Sequence, residues 1–178
     1  KLIRSNEPKF SKSPVTEIKL GTGLPKIIKR LESENKDLKK LLPVVSMNIS
    51  KGELKIGNDL IKLSPIQFSY YRYFLQRVKE EKEYERFGNL DTSSNFLKAI
   101  INFHKESFPD AYSVIEESER ILKSGYGVDM RTFRANISKL NKKIKSAIKN
   151  YNFYIIETDG SRDKTRYGIR LSDDKIKI

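Results

Sequence analysis

The stretch RTFRANISKLNKKIKSAIKN, residues 131–150, contains seven lysine and arginine side chains and no carboxylate. Its apolar residues recur at steps of four, three, four, four and three, which is the period of an amphipathic α-helix. One narrow face of this helix is therefore expected to be buried, and it consists of Phe133, Ile137, Leu140, Ile144, Ile148 and Tyr151. The basic side of the helix either lies against a polyanion or is the solvated back of a core helix.

The charge of the whole chain favours a polyanion as partner. The 178 residues include 36 basic and 23 acidic side chains, a formal net charge of +13. Residues 1–64 and 126–178 each carry a net +7, whereas residues 65–125 carry −1. An excess confined to the two ends, and concentrated at the C-terminal end on one helix and one hairpin, is typical of a nucleic-acid-binding surface.

The segments before the basic helix predict short strands followed by three helices. VVSMNIS (44–50), ELKI (53–56) and DLIKL (59–63) alternate with turn residues and predict a three-stranded antiparallel meander. Ser64, Pro65 and Gln67 form a capping box that starts an aromatic-rich helix. A second helix is expected from the cap at residues 92–94 to Pro109, and a third from Tyr112 to Lys123, closed by Gly125. The charged run KEEKEYER, residues 79–86, is expected to be a solvated helix end or loop.

The segment after the basic helix predicts a hairpin. YNFYIIET (151–158) and TRYGIRL (165–171) are its expected strands, and DGSRDK (159–164) is its tip. At the other end of the chain, residues 1–24 predict an extended arm, and a helix follows from Pro25 and stops at Pro43. We therefore expect residues 1–43 to be an arm and linker helix at the tail of a preceding domain, and residues 44–178 to be one domain.

This order of elements predicts an α+β fold, a winged helix-turn-helix. In such a domain the second helix of the pair can enter the major groove of DNA, while the hairpin, or wing, reaches toward the backbone or the minor groove. Asp129 is the expected N-cap of the groove helix. Asn136 and Asn141 have the side-chain type that reads adenine. The predicted DNA-binding residues are Arg131, Arg134, Asn136, Lys139, Lys142, Lys143, Arg162, Lys164 and Arg166.

The sequence also resembles the OmpR-type response-regulator effector domain. The resemblance lies in ELKIGNDLIKLSPIQFSYYRYFL (53–75), in RANISKLNKKI (134–144), which is similar to that family's recognition helix, and in TRYGIRL (165–171), which is similar to its last wing strand. Two features depart from the family. The stretch 80–112 is longer and is expected to insert a helix, and Gly168 follows Tyr167 where the family places glycine first.

The closing segments resemble, in addition, a CRISPR-associated family. NISKLNKKIKSAI (136–148) and SRDKTRYGIRL (161–171) are similar to the winged helix of proteins that join it to an N-terminal CARF domain, and residues 15–42 are similar to the joining segment. The resemblance implies transcriptional regulation in antiviral defence, a homodimer, and a sensor of cyclic oligoadenylate that is not in this chain. Any ring-nuclease activity would belong to that sensor. The resemblance leaves open a module for dimerisation or partner docking instead of DNA binding.

Several classes of site are excluded or not indicated. The chain contains no cysteine, so disulfides, thiolate zinc sites and cysteine nucleophiles are excluded. The only histidine, His104, has no partner for a metal site and lies near the apolar face of its helix, and no nucleophile–base arrangement is present. We therefore expect no catalytic site, cofactor or metal in these residues. With no membrane-spanning run and no signal peptide, a cytoplasmic protein is expected.

Overall fold

The computed structural model describes residues 27–30, 40–160 and 165–178, with only the backbone at residues 112–114. The chain forms two compact units, Lys1–Leu42 and Pro43–Ile178. In the first unit, residues 27–30 and residue 40 are helical. The predicted arm and the rest of the predicted linker helix lie outside the described residues. The second unit combines helices with two small sheets, so the predicted α+β class is confirmed for it.

Four strands of the second unit form one sheet in the order β3-β2-β1-β7. The first three are antiparallel neighbours, which confirms the predicted meander. The last strand runs parallel to β1, with Ile176 opposite Val45, and the sequence did not predict it. The strands are β1 (Val45–Asn48), β2 (Glu53–Ile56), β3 (Asp59–Ile61) and β7 (Ile176–Lys177).

Four helices follow the meander, and three of them begin at predicted capping residues. The Ser64 hydroxyl accepts a hydrogen bond from the Gln67 backbone N–H, and the Gln67 side chain accepts one from the Ser64 N–H at 3.1 Å. This reciprocal pair is the predicted capping box. Ser93 caps the second helix and Asp129 caps the fourth. The helices are α1 (Pro65–Lys79), α2 (Ser94–Ser107), α3 (Tyr112–Lys123) and α4 (Met130–Ala147).

An aromatic cluster joins three of the helices to the C-terminal part of the chain. Phe133 of α4 packs edge to face on Phe96 of α2, with ring centroids 5.5 Å apart. The Phe133 ring also meets Tyr167 at 5.0 Å and 88°. Phe74 of α1 and Phe87 belong to the same cluster. Edge-to-face aromatic pairs add to the stabilisation from apolar burial, so this cluster fixes α4 against the other helices.

The second sheet has the order β4-β6-β5, and one of its strands was predicted to be a solvated loop or helix end. Its strands are β4 (Glu85–Arg86), β5 (Glu157–Asp159) and β6 (Arg166–Gly168). Pairing of β4 with β6 contradicts that prediction for the last two residues of KEEKEYER. The Glu85 carboxylate accepts a hydrogen bond from the Tyr73 hydroxyl and pairs with Arg77 at 3.0 Å, so tertiary contacts hold this strand in place.

The first hairpin strand is shorter than predicted and begins later. The expected strand from residue 151 is wrong over Tyr151–Phe153, which form a 3₁₀ turn, and β5 starts at residue 157. Tyr151 is half-buried in this turn and does not extend the buried face of α4. The reason lies in Tyr154, whose hydroxyl donates to the Pro43 carbonyl at 3.0 Å and whose own carbonyl accepts from the Tyr71 hydroxyl at 2.8 Å.

Candidate nucleic-acid interface

The start of α4 is held by a side-chain cap and by an adjoining loop. The Asp129 carboxylate accepts from the backbone N–H groups of Arg131 and Thr132, at 2.9 and 3.1 Å. The Met130 N–H donates to the Leu90 carbonyl at 2.8 Å. An N-terminal cap stabilises a helix by about 1 kcal/mol. The position of the first turn of α4, and with it the position of Arg131, is therefore set by hydrogen bonds on both sides.

The buried face of α4 matches the predicted apolar residues closely. Its members are less than a tenth exposed and face the core: Met130, Phe133, Ile137, Leu140 and Ile144. Ile148 is also buried, in the position that caps the C-terminus of the helix. The basic residues are therefore restricted to the remaining faces, as the sequence predicted. Two rows of polar residues flank the buried face, and they have different surroundings.

One row faces the hairpin. Its residues follow one another at steps of three, four, four and three, so they lie on one side of the helix. They are Arg131, Arg134, Ser138, Lys142 and Lys145. From Arg134 onward this row lines a groove of about 840 Å³ between α4 and the β5–β6 hairpin. Thr158 and Thr165 line the groove from the hairpin side. The groove thus has cations on one wall and hydroxyl groups on both walls.

The other row faces away from the hairpin. Its residues follow one another at steps of four, three and four, and they are Thr132, Asn136, Lys139 and Lys143. The Asn136 amide donates to the Thr132 carbonyl at 3.0 Å, and Asn136 lines a small, mainly apolar cleft beside α1 and α3. Lys139 is exposed and Lys143 is half-buried. Of the predicted α4 residues, Arg131, Arg134 and Lys142 therefore share the groove-facing row, whereas Asn136, Lys139 and Lys143 do not.

Arg134 is oriented by the hairpin. Its Nε donates to the Tyr167 hydroxyl at 3.3 Å, and the Tyr167 ring is anchored in the aromatic cluster. An arginine held through one N–H keeps the remaining donors of its planar guanidinium for other acceptors. Tyr167 therefore links the hairpin to α4 at the wall of the groove and limits the directions that the Arg134 guanidinium can take.

Asn141 has a structural role, which contradicts the prediction that it reads adenine. Its Nδ2 donates to the Ile156 carbonyl at 2.7 Å, and its Oδ1 accepts from the Ile156 N–H at 3.0 Å. Both ends of the amide are thus bound to one residue of the backbone immediately before β5. The helical period of α4 places Asn141 outside the apolar face. Only the tertiary structure shows that its side chain binds the backbone before the hairpin.

Of the three hairpin residues that were predicted to contact DNA, the structure describes one. Arg162 and Lys164 lie outside the described residues. Arg166 is exposed, and its Nη1 lies 3.7 Å from a carboxylate oxygen of Glu83. Because side chains alternate along a strand and Tyr167 faces α4, Arg166 points to the opposite face of the hairpin. Arg166 is therefore not part of the groove wall.

Of the carboxylates in the described part of the chain, one lines the groove, and its charge is offset. Glu157 Oε1 accepts from the Tyr84 hydroxyl and from Arg170 Nε, both at 2.6 Å. Burial, followed by the hydrogen bond to Glu157, raises the pKa of Tyr84 above its ordinary value, so the tyrosine remains a donor. The electrostatic character of the groove is therefore dominated by its cations.

The predicted set lacked several polar residues that line the groove, among them Ser138, Lys145, Thr158 and Thr165. Lys145 follows Lys142 by three positions, so the period of the helix could have revealed it. Its ammonium also lies 5.3 Å from the centroid of the Tyr151 ring. The two threonines gave no comparable signal, because their places depend on how the hairpin packs beside α4.

The described residues contain no group of three or more His, Asp or Glu side chains close enough to hold a metal ion. Within the same part of the chain, no helix combines the length and apolar composition needed to cross a membrane.

Comparison with known proteins found no matching family model, no curated relative and no similar solved structure. The interface therefore has to be interpreted from its own chemistry.

Proposed function

We propose that the unit Pro43–Ile178 is a winged helix-turn-helix domain that binds double-stranded DNA. In this proposal α3 and α4 are the helix pair, α4 is the groove helix, and the β5–β6 hairpin is the wing. Gly125, with φ of +80°, begins the turn between the two helices. The order of elements and the burial of one face of α4 support this assignment, because a groove helix must pack on its own domain and leave its other faces polar.

The observation that carries the proposal is the row of cations on the groove wall. Arg134, Lys142 and Lys145 face the space between helix and hairpin, and no described carboxylate lies within 4.0 Å of Lys142 or Lys145. Such cations bind phosphates by releasing counterions from DNA. The exposed hydroxyl of Thr158, on the facing wall, is a further donor of the type that contacts phosphate oxygens.

The proposal has three further parts. They are transcriptional regulation in CRISPR antiviral defence, a homodimeric state, and a sensor for cyclic oligoadenylate outside this chain. They rest on the resemblance of the closing segments. Use of the unit for dimerisation or partner docking is the competing proposal, and it differs in one measurable respect. A docking module is indifferent to DNA, whereas a groove helix that contacts phosphates binds with an affinity that falls steeply as salt rises.

The test compares two charge-reversal variants with equal changes in net charge. Lys142→Glu/Lys145→Glu alters the groove wall, and Lys55→Glu/Lys177→Glu alters the sheet face turned away from the core, where both lysines are exposed. Fluorescence anisotropy with a labelled duplex of about 30 base pairs, across a salt series, measures affinity and its salt dependence. The groove variant is expected to bind at least about tenfold more weakly, and its salt slope is expected to be smaller by about 0.9 for each phosphate that it no longer neutralises.

The sheet variant serves as the control for net charge, and its affinity is expected to fall much less. Both variants are expected to unfold at the temperature of the unaltered protein, because all four lysines are at the surface. Equal reductions of affinity in the two variants would contradict a localised interface. Absence of binding by the unaltered chain, even at low salt, would refute DNA binding and favour the docking module.

A further inference from the structure

Leu90 is a large apolar side chain held in solvent beside the start of α4. It is 79% exposed. Its carbonyl accepts the hydrogen bond from Met130, the residue before Arg131. The loop that carries Leu90, residues 88–91, is therefore attached directly to the first turn of the proposed groove helix.

The backbone beside Leu90 is hydrogen-bonded to the segment that enters α4. On its C-terminal side, the Thr92 N–H donates to the Val128 carbonyl at 2.9 Å, and the Val128 N–H donates to the Thr92 hydroxyl at 2.9 Å. Asp91 and Asp129, the neighbours of Thr92 and Val128, pair as an isolated antiparallel bridge. The backbone on the C-terminal side of Leu90 is therefore paired with the segment that enters α4. This pairing holds the backbone of Leu90 in the position where its side chain is exposed.

The loop carries one carboxylate of its own, Asp91, and it lies on the same side of the unit as two arginines at the start of α4. Gly88 and Asn89 line a small cleft together with Arg134 and with Thr165 of the hairpin. Arg131 is exposed one residue beyond Met130. The nearby Asp129 carboxylate is engaged by the N–H groups of the first turn, which offset its negative charge. An anion that contacts Arg131 and Arg134 would therefore meet the loop as well.

We propose that Leu90 contacts the C5-methyl group of a thymine when α4 lies in the major groove, and that it contributes to base selection at that position. This inference rests on the proposed DNA binding. The N-terminal end of a groove helix is the part that approaches base edges. Among the groups that base edges present in the major groove, the thymine methyl is the apolar one, so it is the partner that an exposed leucine fits.

The test uses chemical removal of single methyl groups. Binding duplexes are first selected from a randomised pool with the unaltered chain. In the selected duplex each thymine is then replaced by uracil, which lacks only the C5-methyl group, and affinities are measured for the unaltered chain and for Leu90→Ala. At one thymine, uracil is expected to weaken binding by the unaltered chain about fourfold, the value of one buried methyl group. The same replacement is expected to leave the affinity of Leu90→Ala unchanged.

Leu60→Ala is the matched control, because Leu60 is an exposed leucine on β3 of the same unit. It is expected to respond to uracil like the unaltered chain. The salt slope of Leu90→Ala is expected to equal that of the unaltered chain, since no phosphate contact is removed. A uracil effect that persists in Leu90→Ala overturns the Leu90 contact and leaves the DNA proposal standing. Failure of the unaltered chain to bind any duplex overturns both. A lower sedimentation mass for Leu90→Ala with unchanged duplex binding assigns Leu90 to a protein contact and overturns the inference.

Discussion

At the scale of the residue, the buried polar groups between α1 and α2 are the least expected feature. His104 is 1% exposed, and among the described residues neither of its ring nitrogens forms a hydrogen bond of ordinary length and angle, although the Ala111 backbone nearby weakly favours the charged ring. Ser107, one turn further along α2, has a buried hydroxyl in the same condition. Arg72 binds Glu106 at 2.8 Å through Nη2, and its side chain lies over the Phe103 ring, 4.2 Å from the centroid. A buried polar atom without a partner destabilises a fold by about 1–3 kcal/mol, so these residues limit the stability of the unit.

His104 makes a sharp prediction about pH because it is the only histidine in the chain. Burial holds the pKa of His104 below its ordinary value of 6.5, against a smaller opposing effect of the Ala111 backbone. Below about pH 6.5 the unfolded chain therefore binds a proton that the folded chain does not, and stability is lost as the pH falls. The free energy of unfolding is expected to fall between about pH 6.5 and 5 by up to about 1.4 kcal/mol per pH unit.

The variant His104→Phe removes the titrating group and keeps an aromatic ring against Phe108, whose centroid is 5.5 Å away. Denaturant unfolding at a series of pH values measures both proteins. The variant is expected to show almost no pH dependence between about pH 5 and 6.5, and to be more stable at neutral pH because no buried ring nitrogen is left unpaired. An identical slope in both proteins would contradict the assignment of this titration to His104.

At the scale of the element, the turn between α3 and α4 sets the position of the groove helix. It contains two glycines with different constraints. Gly125 has φ of +80° but open space around it, whereas a Cβ added to Gly127 would overlap the Thr92 carbonyl oxygen. Gly127 thus permits the segment before α4 to approach the start of α2, where Thr92 donates one hydrogen bond to Val128 and accepts another from it. The turn is therefore a contact between elements as well as a connection.

Gly127→Ala is expected to lower the free energy of unfolding by about 3 kcal/mol or more, because two backbones would have to separate and break the Thr92–Val128 hydrogen bonds. Gly125→Ala is the control and is expected to cost about 1–2 kcal/mol, the strain of a left-handed residue with a Cβ. Chemical denaturation of the two variants measures the difference. If Gly125→Ala proved the more damaging substitution, the close approach at Gly127 would not be what positions α4.

At the scale of the whole molecule, the unit Pro43–Ile178 is closed by its own ends. The two-residue strand β7 pairs with β1 in parallel, and Ile176 is 4% exposed on the inner side of the sheet. The Pro43 carbonyl receives the hydroxyl of Tyr154, which ties the start of the unit to the chain between α4 and β5. Residues far apart in the sequence are thus joined at the same sheet, and the aromatic cluster joins the helices to the hairpin.

Ile176→Ala tests this closure. The substitution is expected to lower the free energy of unfolding by about 2 kcal/mol, at the lower end of the range for a buried isoleucine, because a strand at the end of the chain can adjust. The neighbouring exposed residue supplies the control, Lys177→Ala, which is expected to change stability by less than about 0.5 kcal/mol. Thermal unfolding of both variants would show equal midpoints if β7 contributed nothing to the fold.

The amino-acid sequence by itself determined the local elements of this protein. The period of the apolar residues and the capping residues Ser64 and Asp129 specify α1 and α4, because helical hydrogen bonds and caps connect residues only a few positions apart. The three-stranded meander followed from alternation and from turn residues for the same reason. The concentration of positive charge on α4 was also visible in the sequence, since it depends on composition alone.

Only the tertiary structure decided the long-range pairings and the arrangement of the interface. Strands as short as β4 and β7 have no pattern of their own, and they form because packing brings β6 and β1 beside them. The same packing binds both ends of the Asn141 amide to the backbone of Ile156 and turns Arg166 away from the groove. Which basic residues share a surface depends on where the hairpin lies beside α4, and contacts between distant segments set that position.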